Sequence, residues 1–323
     1  MTMRTISRSA TLAALLSVTG GLFTAPAQAA APLVKTQAPG FYRMMLGDFE
    51  ITALLDGTVT LPVVKDLTNV KPGRAEALLA AEFLTSSVET SINAYLINTG
   101  ARLFLVDTGA GELIGPSAGQ LVTSIRAAGY QPEQVDAVLL THAHPDHSGG
   151  LVVAGKRVFP NARVYADKRE VDYWLSSANA EKAPESLKPL FQEAKDSLTP
   201  YAEAGHLETF TGNTQLAPGL RTLESPGHTP GHTFYVVESQ GQKLVFWGDV
   251  MHVAAVQFPE PSVSLQYDAD SKAAAAQRAK AYAEAARQGY WLAIDHVSFP
   301  GLGHLRANGK GYTWVPANYS TLR

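Results

Sequence analysis

The sequence predicts one α/β domain made of two β-sheets with helices on their outer sides, and three observations point there. Apolar runs of strand length recur along the chain, patterns of helical spacing separate them, and strands appear on both sides of those helices. No internal repeat and no linker-like stretch divides the chain. In order, the strand runs are Phe49–Leu54, Ile92–Ile97, Leu103–Val106, Ala137–Leu140, Arg163–Tyr165, Thr233–Val237 and Leu244–Trp247. Helical spacing covers Gly119–Ala128, Lys168–Leu175 and Ser271–Gln288; the last is Ala-rich, and Gly289 stops it. The polar stretch from Ser176 to Ala204, with Pro184, Pro189 and Pro200, reads as an insertion of short helices. Thr60 to Gly73 reads as a rim loop.

Composition narrows the chemistry. Of 323 residues, 46% are hydrophobic and 17% charged, which suits a folded protein and is too apolar for disorder. There is no cysteine, so disulfides, thiolate-held zinc, iron–sulfur clusters and a thiol nucleophile are excluded. Any metal must be held by His and carboxylates. Residues 1–29 read as a secretory signal peptide: Arg4 and Arg8, an apolar stretch from Ala10 to Phe23, then Ala27-Gln28-Ala29 as a small-x-small cleavage pattern. The expected mature chain is 30–323, periplasmic or secreted. The apolar stretch is too short and too rich in small residues to span a membrane well, so no membrane association is expected after cleavage. Without Arg4 and Arg8, 24 basic residues face 29 acidic ones, a charge of about −5, which argues against a nucleic-acid partner.

The strongest chemical signal is Thr141-His142-Ala143-His144-Pro145-Asp146-His147, directly after a strand run. Four potential metal ligands fall within six residues. A loop at a strand end can turn them all inward, which a helix could not do at this spacing. His142 and His144 alternate and can share one ion, while Asp146 and His147 point to a second. Pro226-Gly227-His228-Thr229-Pro230-Gly231-His232 is next: glycines let the backbone bend round an ion, His228 is the better ligand, and His232 reads as a supporting residue. Gly248-Asp249 follows the run Leu244–Trp247 and can extend one carboxylate oxygen to each of two ions. Asp295-His296 follows the run Tyr290–Ile294. Each of these pieces alone is weak; together, in this order, they supply two sets of ligands.

The order HxHxDH, then GH, then GD, then a late His resembles the metallo-β-lactamase superfamily, and so does Leu105-Val106-Asp107-Thr108-Gly109. The resemblance implies a four-layer αβ/βα sandwich with a two-metal site between the sheets. It implies one ion on His142, His144 and His228, the other on Asp146, His147 and His296, and Asp249 as the bridge, with Asp107 supporting the loop. Zinc is the first expectation; manganese, iron and cobalt suit the same donors. Two ions about 3.5–4 Å apart can hold a bridging hydroxide as nucleophile, with catalytic weight on Asp146 and Asp249. The segments Gly231–Lys243, Val253–Phe258 and His296–Gly301 resemble the secreted methyl parathion hydrolase branch, which also resembles aryl-lactonases such as dihydrocoumarin hydrolases. That branch implies a homodimer and a small aryl lactone, ester or phosphotriester as substrate.

His252 bears on the substrate. In acyl-homoserine lactonases of the superfamily the matching position carries a Tyr, and in methyl parathion specialists it is apolar. A His here either donates to a lactone carbonyl or leaving alkoxide, or orients Asp249 and walls the pocket. Trp174, Phe191 and Tyr267 are candidates for the substrate pocket, each with core packing as the competing reading. A dedicated phosphotriesterase, a β-lactamase, a glyoxalase II-type thioesterase and a degenerate binding module are the other readings.

Overall fold

The computed structural model describes residues 1, 31–185 and 187–321. The expected signal peptide therefore lies outside the described residues. Met1–Gln37 and Ala38–Arg323 separate into two units. In the first, residues 31–37 carry no helix or strand. Everything below concerns the second.

Two seven-stranded sheets form its centre. The first runs, in spatial order, Phe41–Leu46, Phe49–Leu61, Val88–Asn98, Leu103–Val106, Ala137–Leu139, Arg163–Asp167 and Leu207–Phe210. The second runs Gln215–Ala217, Leu220–Glu224, Thr233–Ser239, Gln242–Phe246, Trp291–Ala293, Leu302–Asn308 and Gly311–Pro316. Period-two alternation explains why the sheets stack. Tyr95, Ile97, Phe104, Val106, Ala137 and Leu139 of the first sheet meet Tyr235, Val237, Leu244 and Phe246 of the second in one inner core. Their neighbours Ala94, Leu96, Leu103, Leu105 and Val138 point the other way, under the helices Leu121–Ala127, Lys168–Trp174 and Lys188–Glu203. Phe234, Val236 and Val245 likewise point out from the second sheet, towards Ser271–Gln288. Strands buried on both faces read as continuous apolar runs, the pattern that made them visible in the sequence. The result is the expected four-layer sandwich.

Ser271–Gln288 has the expected bounds. Asp270 caps it by accepting from the N–H groups of Lys272 and Ala273, and Gly289 ends it in the left-handed conformation. Two expectations need correction. The stretch from Ser176 to Ala204 holds one short helix, Ser177–Lys182, and then a 16-residue helix, Lys188–Glu203. The apolar side of the longer helix carries Phe191, Ala194, Leu198 and Tyr201 into the core, which outweighs its prolines: Pro189 sits at the helix start, where its missing N–H costs nothing. Thr60–Gly73 is not an open rim. Val63–Asp66 forms a helical turn and Leu67–Thr68 pairs with Ser264–Leu265. Val63, Leu67, Ala75 and Leu79 pack against Val253, Val256, Val263 and Leu265, so this segment is docked on the chain that follows Asp249.

Candidate metal centre

Parallel strands aim the chemistry. Leu103–Val106, Ala137–Leu139 and Arg163–Asp167 run parallel in the first sheet, and Gln242–Phe246 runs parallel to Trp291–Ala293 in the second. Asp107, Thr141–His147, Asp249 and His296 all follow the carboxyl ends of these strands, so they collect at one edge of the sandwich. Pro145 opens a single helical turn, Pro145–Ser148, that carries Asp146 and His147. Gly248 is required where it stands. Its φ is +49°, and a Cβ there would lie 2.8 Å from both His232 Nε2 and Thr141 Cβ.

Two donor sets result. His142 Nε2 and His228 Nε2 each lie 3.0 Å from His144 Nδ1, and Asp249 Oδ2 is 3.6 Å from His142 Nε2 and 3.3 Å from His228 Nε2. On the other side, Asp249 Oδ1 is 3.1 Å from both His147 Nε2 and His296 Nε2, and Asp146 Oδ2 is 3.6 Å and 3.4 Å from the same two nitrogens. The two oxygens of Asp249 thus face different sets. All seven residues singled out as ligands in the sequence come together here.

The rear of each ring tells what its front must be. His147 Nδ1 donates to Asp107 Oδ2 at 2.8 Å, His228 Nδ1 to Asp268 Oδ1 at 2.9 Å, and His296 Nδ1 to the Ser91 carbonyl at 2.9 Å. The Thr141 hydroxyl donates to Asp107, so His142 Nδ1 donates to the Thr141 oxygen at 3.0 Å. With those protons behind them, the rings of His142, His147, His228 and His296 in neutral form turn lone pairs to the shared space. His144 Nδ1 can give a proton to only one of the two nitrogens 3.0 Å from it, and buried His147 Nε2 and Asp249 Oδ1 have no hydrogen-bond partner. The residues therefore fit two divalent cations with nitrogen and oxygen ligands, zinc being the natural choice.

Without cations the same groups pull one another's protonation apart. Burial pushes His142 and His144 down, with help from neighbouring imidazoles, His144 to about 3. Burial opposes charge on His147, His228 and His296 as well, but carboxylates outweigh it. Asp249 and Asp146 lift His147 and His296 well above the usual range, and Asp249 with Asp268 lifts His228 to about 9. Burial would raise Asp146 and Asp249, yet the surrounding imidazoles hold both well below the ordinary carboxylate range. His232 is no ligand: its Nδ1 donates to the Ser225 carbonyl and its Nε2 accepts from the Asp249 N–H at 2.9 Å, fixing the bridging residue's backbone.

His252 Nε2 lies 2.9 Å from Asp249 Oδ2, and His252 and His296 reach the wall of a trench of about 1490 Å³. Val253, Ala254, Phe258, Phe299 and Trp314 also line that trench. Trp174, Phe191 and Tyr267 do not. Trp174 and Phe191 are each 4% exposed and belong to the core beneath the first sheet; Trp174 packs edge-on against His144, and its indole N–H is taken by Glu170. Phe191 packs on Trp174. Tyr267 is half-buried, and its hydroxyl donates to Asp66 at 2.6 Å. For Trp174 and Phe191 the contacts are those of the core, and Tyr267 ties down the 63–68 segment. Glu170, Asp268 and Ser91 were missed in the sequence, because nothing local marks a polar residue whose partner is far along the chain.

A match to the metallo-β-lactamase superfamily spans residues 88–286. The chain belongs to that superfamily. Among solved structures, the hydrolase AbOPH of the β-lactamase superfamily is 36% identical with a TM-score of 0.84, covering 88% of this chain and 100% of its own. AidC, a dizinc quorum-quenching lactonase solved with a product, is 29% identical with a TM-score of 0.81, covering 87% of this chain and 99% of its own. A ribonuclease of Thermus thermophilus is 30% identical over 180 residues, 54% of this chain and 38% of the relative. The chain thus spans well under two thirds of that curated relative's length. No helix among the described residues is long and apolar enough to cross a membrane.

Proposed function

We propose that the protein is a secreted, binuclear metal-dependent hydrolase of the methyl parathion hydrolase and dihydrocoumarin hydrolase branch. In this reading it opens aryl lactones and cleaves aryl esters, with phosphotriester hydrolysis as a side activity. The observation that carries the reading is Asp249, one oxygen on each donor set, standing beside a trench with aromatic walls. Two divalent cations held there would supply Lewis acidity towards water and towards a carbonyl or phosphoryl oxygen. The chain's own groups do the rest. His142, His144 and His228 would hold one cation, and Asp146, His147 and His296 the other. Half-buried Phe299 and Trp314 accept an aromatic ring, with Phe258 packed behind Trp314. His252 donates its Nε2 proton to Asp249 Oδ2, so the neutral ring has no second proton to give. Its role is to fix the bridging carboxylate and to offer a polar edge to the trench.

A polar His252 at that wall favours the lactone over an apolar phosphotriester. The test compares kcat/KM for dihydrocoumarin and methyl parathion in one buffer, for the wild type and His252→Leu, on protein carrying two metal equivalents by elemental analysis. Preference for the lactone, shifted towards the phosphotriester by the substitution, supports the reading. A clear preference for methyl parathion, unmoved by the substitution, replaces it with a dedicated phosphotriesterase.

A further inference from the structure

Glu170 lies in the helix Lys168–Trp174 and is 1% exposed, yet no charge pairs with it among the described residues. Four donors surround its carboxylate instead. Oε1 accepts from the Ala143 N–H at 3.0 Å and from the Trp174 indole N–H at 2.7 Å. Oε2 accepts from the Thr229 hydroxyl at 2.7 Å and the Gly231 N–H at 2.8 Å. The partners are not arbitrary. Ala143 stands between His142 and His144, on the loop that leaves the first sheet. Thr229 follows His228, on the turn that belongs to the second. Trp174 packs its edge on the His144 ring, 5.3 Å between centroids.

The chain makes room for this contact. Gly231 has an ordinary backbone conformation, but a Cβ there would lie 2.4 Å from the Glu170 nitrogen and 2.6 Å from its Cβ. Any side chain at 231 would push the helix and its carboxylate away from the turn.

We propose that Glu170 is a positioning residue, a clamp that fixes the distance between the His142/His144 loop and the His228 turn and so tunes the first donor set without touching the second. Asp146 and His296 have no hydrogen bond to Glu170 or to its four donors, while His142, His144 and His228 are each next to one of them in sequence. A carboxylate accepts only, so all four donors can be satisfied at once. A glutamine keeps one accepting oxygen but turns an NH₂ towards the remaining donors, and the Gly231 N–H is then left facing another donor.

The inference rests on the two-cation reading of the site, and the experiment separates the two. Zinc binding to the metal-stripped full chain is titrated calorimetrically, alongside thermal melting of the metal-free protein. The wild type should bind two equivalents. Glu170→Gln should weaken one of them about 10- to 100-fold and leave the other unchanged. The loss should persist when His147→Ala removes the second set, and vanish when His144→Ala has already removed the first. Thr229→Val, which deletes one donor and leaves the buried carboxylate in place, should act the same way by about 5-fold and guards against a Glu170 variant that fails to fold. Equal weakening of both equivalents, tracking a lower melting temperature, would make Glu170 merely structural and overturn the clamp. Two unchanged equivalents in both variants would overturn it as well. A wild type binding fewer than two equivalents would overturn the two-cation reading first and the clamp with it.

Discussion

The set formed by His142, His144 and His228 is the more sealed one, with no residue above 8% exposed, whereas the set formed by Asp146, His147 and His296 opens at Asp146, whose side chain is 19% exposed. The supports differ in placement. Behind the first set stand two buried carboxylates, Asp268 on His228 and Glu170 across the two loops. Behind the second, the buried carboxyl groups of Asp107 and Asp295 both stand at His147 Nδ1, 2.8 and 3.2 Å away, and a backbone carbonyl holds His296. Electrostatics follow the architecture. In the sealed set burial pushes two of three imidazoles down, while Asp249 and Asp268 lift the third, His228; in the open set two carboxylates lift both imidazoles when no cation is present. The sealed set must give up one imidazole proton to take a cation, and the open set two.

Asp249 belongs to both, so its removal should be the largest effect. Asp249→Asn is expected to weaken both metal equivalents and to lower kcat/KM by more than about 100-fold, beyond what losing a supporting residue costs. Elemental analysis after dialysis checks it. If one equivalent is retained at wild-type affinity, Asp249 is not shared and the two sets are independent sites.

The proton difference gives the next test. A raised imidazole pKa stabilises the folded, metal-free protein fully below about pH 6.5, and that contribution disappears as pH rises through the folded value, about 9 for His228. Metal binding must displace those protons. Zinc added to the metal-free protein between pH 6.5 and 9 should therefore release protons into a weakly buffered indicator solution. The increase in Tm on metal loading should grow across the same window. With His147→Ala, the share of protons released by the open set should fall. Proton release that is zero throughout would mean that the imidazoles are already neutral and that the contrast between the sets is wrong.

The ligand loops were legible because metal donors cluster locally: four lie between His142 and His147, Asp249 and His296 sit after apolar strand runs, and glycines flank His228. The inner strands were legible because burial on both faces makes them uniformly apolar. Strands such as Leu302–Asn308 were not, since His304, Arg306 and Asn308 break the run and its last three residues face water. Glu170 and Asp268 were invisible for another reason. Their partners are 27 and 40 residues away, and only the folded sandwich brings them together. Aromatic residues misled in the opposite direction, because a pocket wall and a core wall have the same composition.

Trp174 gives the finest test of that last distinction, and the smallest expected effect. It touches His144 and donates to Glu170, so it lies behind the sealed set, away from the trench. Trp174→Phe keeps an aromatic ring and removes the indole N–H, leaving Glu170 Oε1 with one donor in place of two. The cost should be about 1–2 kcal/mol in unfolding free energy, from one lost hydrogen bond and a small void. KM for aryl lactones should stay within about 2-fold of wild type, because a residue that only packs behind the ligands removes no substrate binding. A KM that rises while stability holds would return Trp174 to the substrate pocket, and would mean that the sealed set is approached from the Trp174 side.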